Sequence, residues 1–117
     1  MERLERTWFW ALLALLAGVL WWCGAFPSQD GPAHAYNAAL LRGPLGDTYE
    51  LQRGLTTNWT AHLLLMPLLG VMTPEKADKT VVILALLVCG AGAFVCLERA
   101  PWLLPFAVPL FFNGLLF

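Results

Sequence analysis

The sequence predicts an all-α fold, a polytopic bundle of transmembrane helices. Three observations carry that expectation. Of its 117 residues 59% are hydrophobic and 13% charged, whereas soluble domains average about half apolar and about a quarter charged. The apolar residues gather into long runs separated by short polar stretches. Tryptophans flank the first run, with Trp8 and Trp10 before it and Trp21 and Trp22 after it. Indoles favour the headgroup level of a bilayer, ring inward and N–H toward water.

Four spans are expected, at about 8–26, 56–73, 80–97 and 102–117. The first carries no charge, and about 20 apolar residues cross a hydrocarbon core of about 30 Å. A cleaved signal peptide is the competing reading, but Trp21-Trp22 fits poorly with a small-residue cleavage site. The second contains Pro67, which removes a backbone hydrogen bond and kinks a helix unless neighbours repair the gap. The third is rich in Val, Leu and Ala, and its Gly90 and Gly92 would let another helix approach closely. The fourth follows the polar turn Glu98-Arg99-Ala100-Pro101 and runs to the end, "FFNGLLF". An ionised carboxylate in or near the bilayer is costly. Residues 1–117 are therefore expected to form one membrane domain, the N-terminal part of a larger polytopic protein.

Basic residues in short loops favour the cytoplasmic side. Arg3 and Arg6 precede the first span, and Lys76 and Lys79 lie in the expected loop Thr73–Lys79. Four spans put both groups on one side. The N-terminus is then cytoplasmic, the membrane is an inner or plasma membrane, and the loop 27–55 lies outside. A net charge of −1 gives no footprint for nucleic acid. Cys23, Cys89 and Cys96 form no motif and read as small hydrophobes.

The outer loop holds the candidate chemistry. It opens with Pro27-Ser28-Gln29-Asp30-Gly31-Pro32, and Pro32 suits a helix start. Ala33 to Arg42 favours a short helix lying along the membrane surface, stopped by Gly43-Pro44. Asp30 thus precedes a helix N-terminus, where the dipole favours a carboxylate. The same carboxylate, close to the outer surface, is placed to act as a general base toward an acceptor hydroxyl. His34 is suited to a phosphate or to proton transfer. Tyr36 and Asn37 offer neutral hydrogen bonds to sugar hydroxyls. His62, one turn into the second span, is either an interfacial side chain or a substrate contact facing Asp30.

Other patterns carry less. Asp30, His34, Asp47, Glu50 and His62 contain no pair with diagnostic metal-ligand spacing, so no cofactor is expected and a divalent metal is only a weak alternative. Asn58-Trp59-Thr60 matches a glycosylation acceptor but abuts a span. Glu75-Lys76-Ala77-Asp78-Lys79 reads as a solvated turn.

One span followed by a long outer loop with an early acidic residue resembles the N-terminal part of the GT-C-type membrane glycosyltransferases. It is similar in this to the superfamily of the protein O-mannosyltransferases and the lipid A aminoarabinose transferase. The resemblance covers about residues 1–100 and is mostly topological. It implies a polyprenyl-phosphate sugar donor as partner, besides membrane lipid, and an acidic residue that activates the acceptor. By position that residue is Asp30, and it alone carries over. Many members pair it with a second acid; here Gly31 and Pro32 follow. The distal spans and domain of such an enzyme lie beyond this chain, so residues 1–117 alone are expected to be inactive. Two other classes remain open: a non-enzymatic small membrane protein or partner subunit, and a fragment of a transporter.

Overall fold

The structure is a computed structural model that describes residues 3–43 and 59–97. These residues form α1 (Arg3–Trp22), α2 (Gly31–Leu41), α3 (Trp59–Leu68) and α4 (Pro74–Leu97), with no strand among them. The expected span 102–117, positions 44–55 of the loop, and Asp47 and Glu50 lie outside the described residues.

The long helices α1 and α4 form an antiparallel pair. On α1 the covered stripe is Phe9, Leu13, Leu16 and Leu20; on α4 it is Val82, Leu86, Gly90 and Phe94. Both stripes follow the three- and four-residue steps of one helix face. Phe94, late in α4, meets Phe9 and Trp10, early in α1, at ring-centroid distances of 5.4 and 5.2 Å. The Arg6 guanidinium carbon lies 5.7 Å from the Phe94 centroid. At the opposite end, Lys79 of α4 donates to the carbonyls of Trp21 and Cys23, where α1 finishes.

Gly90 is the close-approach point of this pair. A methyl there would fall 2.9 Å from Leu13 Cδ2, whereas Gly92 faces open space. Only one of the two glycines expected to admit a neighbour does so. The outward faces are apolar: Trp8, Leu15, Val19 and Trp22 of α1 and Val88 and Val95 of α4 are exposed.

The short helices α2 and α3 run parallel. His34 meets His62 at one end, and eight residues further along both, Arg42 lies against Gly70, just beyond α3. Between these contacts Ala38 and Leu65 close on each other and on Ala77 of α4. Small residues at 38 and 77 let three helices meet at one point. The sequence expectation of a helix from Pro32 to Arg42 agrees closely with α2, which begins one residue earlier and ends before Gly43.

The helix boundaries differ from the expected ones. Among the described residues, α1 and the stretch Pro74–Val95 are the helices long and apolar enough to cross a membrane. Within the described part of the expected span 56–73, α3 ends one residue after Pro67, and Gly70 N donates to Pro67 O in the turn that follows. The expected loop Thr73–Lys79 is instead the start of α4: Ala77 N donates to Thr73 O, Pro74 leads the helix and Glu75 lies in its first turn. Lys76 and Lys79 sit at the end of the α1–α4 pair opposite Arg3 and Arg6.

The two buried glycines make a testable contrast. Gly90→Ala meets only the mobile tip of Leu13 and gains helix propensity, so thermal unfolding in detergent micelles should change by less than about 1 kcal/mol. Gly31→Ala would set its methyl 2.6 Å from both Asp78 Oδ2 and Ser28 Oγ, which hold each other, and should cost about 1–3 kcal/mol.

Candidate functional site

Ser28, Asp78 and Lys79 meet where α1 ends and α4 begins. Asp78 is 4% exposed. Ser28 Oγ donates to its Oδ1 at 3.1 Å and lies 3.3 Å from Oδ2, and the Ser28 backbone N–H donates to it as well. The carboxylate rests against Gly31, the first residue of α2, a contact only glycine permits. It thereby brings negative charge to the positive end of α2.

That role was expected of Asp30. Asp30 does occupy the cap position, with φ −92° and ψ 0°, but makes no side-chain cap bond. Its carbonyl accepts from His34 N at 2.9 Å, and the residue is exposed. The helix start takes its acid from another helix instead. A buried carboxylate that accepts from the hydroxyl and backbone N–H of Ser28 is held more firmly than an exposed one competing with water.

Lys79 does the complementary work for α1. The last carbonyls of a helix have no partner within it and carry its negative end. The Lys79 ammonium donates to Trp21 O at 3.5 Å and to Cys23 O. Arg42 has a similar placement at the end of α3, with Nη2 3.3 Å from where a Gly70 methyl would be. No buried side-chain nitrogen or oxygen among the described residues lacks a partner.

The structure joins two of the sequence candidates. His34 Nδ1 lies 3.3 Å from His62 Nε2, with the rings 5.3 Å apart and inclined at 59°. Both are half-buried. One ring donates and the other accepts, and the tautomers adjust to suit. Burial first, and the nearby His34 second, hold His62 below its ordinary value near 6.5. Tyr36 and Asn37 are exposed, on α2 faces away from the covered Ala35 and Ala38. No three His, Cys, Asp or Glu residues among the described ones are grouped to hold a metal ion. Cys23 and Cys89 are free and exposed.

Asp78 and Lys79 escaped the sequence reading, which took 75–79 for a solvated turn. The signal was present. Thr73-Pro74-Glu75 is a helix start, and carrying the four-residue step back from Gly90 through Leu86 and Val82 lands on Asp78.

The lowered proton affinity of His62 gives its own contribution to stability a pH dependence of definite sign. The unfolded chain takes up its proton on residue 62 near pH 6.5, before the folded chain does. Stability from this residue is complete above that pH and is lost as pH falls below it. The melting temperature in micelles should therefore drop between about pH 7 and pH 5, and His62→Gln should weaken the slope.

No protein-family model matches this chain, and neither does any curated protein or solved structure.

Proposed function

We propose that this chain is the membrane part of a glycosyltransferase-like protein that moves a sugar from a polyprenyl-phosphate donor at the outer membrane face. In this reading α1 and α4 cross the bilayer and α2 and α3 lie over one end of them. The observation that carries it is the placement of Asp30. Its carboxylate is exposed, free of cap bonding, and one helical turn ahead of the His34–His62 pair. Asp30 takes the proton of the acceptor hydroxyl as the sugar is transferred. His34 and His62 meet the donor phosphate, and Tyr36 and Asn37 offer hydrogen bonds to the sugar. Membrane lipid and the lipid-linked donor are the partners, and no bound metal is required.

A second reading has its own support. Asp78, Ser28 and Lys79 are all engaged in contacts between helices, as in a non-enzymatic membrane subunit whose polar residues serve assembly.

Transfer of labelled sugar from a polyprenyl-phosphate donor, by the intact protein in its native membrane, decides between them. The transferase reading expects turnover that falls by about 100-fold or more in Asp30→Asn, with thermal stability unchanged because Asp30 makes no cap bond. Full turnover in that variant excludes Asp30 as base. Absence of turnover in the unaltered protein favours the subunit reading.

A further inference from the structure

We propose that His34 and His62 together form a binding site for a single proton, and that a second proton separates α2 from α3 at this end. The inference stands on geometry and is independent of sugar transfer. The two ring nitrogens face each other at 3.3 Å across the seam between α2 and α3. With no added proton, one ring donates to the other. With one, an imidazolium donates to a neutral ring and the bond is strengthened by charge. With two, both facing nitrogens carry hydrogen, no acceptor remains, and two like charges oppose each other.

Among the described residues, the charged groups near the pair are engaged elsewhere. From α4, the Asp78 carboxylate meets the start of α2 at Gly31. Lys79, the neighbouring cation, is turned away to the carbonyls that end α1. From the turn before α2, Ser28 is committed to Asp78, and Asp30 is exposed at the cap. The described residues of α3 include no ionisable group besides His62, and Arg42 lies two turns along, against Gly70.

The seam is also the place where separation has an effect. Past the histidines, α2 and α3 are joined through the cluster of Ala38, Leu65 and Ala77, with Met66, Leu68, Leu69, Met72 and Val81 packed against it. Driving the rings apart opens the seam at its His34 end, beside the start of α2, while the Leu65 contact holds further along. Asp30 and the Asp78–Ser28 contact belong to that same helix start. The pair thus couples proton concentration to the geometry of the exposed carboxylate.

Nitrogen-15 spectra of the imidazoles, recorded on the whole chain in detergent micelles from pH 8 to pH 4, test this directly. Two proton-uptake steps separated by more than about one pH unit are expected, with resonances of both rings moving in each step. Two coincident steps near about pH 6.5, each confined to one ring, would overturn the proposal. His62→Gln adds a second measure: His34 should then titrate in one step. Two steps persisting at the His34 resonances of that variant would equally exclude a shared site. Should the variant fail to fold, the spectra of the unaltered chain decide alone.

Discussion

Asp78 is a carboxylate on a largely apolar helix, removed from water, and the arrangement of all four helices answers to it. Burying such a group without partners costs several kcal/mol, so it must be given donors. Ser28 supplies them from the chain just past α1, and the first turn of α2 adds the favourable end of its dipole. Satisfying one side chain therefore draws together α1, α2 and α4. Lys79, the next residue, fastens the end of α1 from the same turn. Neighbouring residues of opposite charge thus serve opposite helix ends, an acid at an N-terminus and a base at a C-terminus.

This arrangement explains why α2 lies where it does. Its own sequence, with Asp30 before Gly31 and Pro32, is enough to start a helix but does not direct it. Gly31 gives the direction, because the absence of a side chain lets the Asp78 carboxylate touch the backbone. Once α2 is seated, its alanine face at 35 and 38 admits α3 and α4 closely, and His34 is carried to His62. The candidate chemistry is thus downstream of a structural contact. Asp30 is left exposed because another acid has taken its expected place.

The long pair is organised differently. Its polar contacts lie at the clasp, and its length is held by Leu13 against Gly90 and by rings at the Arg6 end. Most of its surface stays outward and apolar, as suits helices bordered by hydrocarbon, where packing rather than expulsion of water supplies the adhesion.

The sequence by itself determined the all-helical class, the existence of α1 though not its ends, and α2 with its Gly43 stop. These follow from local causes: runs of apolar residues, proline and glycine punctuation, and the preference of helix ends for particular side chains. It also singled out His34 and His62, since half-buried imidazoles among apolar residues are conspicuous. Tertiary structure decided that the two histidines meet, that Asp78 rather than Asp30 serves α2, and that the lysines at 76 and 79 lie opposite Arg3 and Arg6. Each of these depends on which helices stand side by side. The break after Pro67 and the start at Thr73-Pro74 show the reason most plainly. They lead into an α4 antiparallel to α1, and that pairing brings residues 50 apart in sequence, Ser28 and Asp78, into one hydrogen bond.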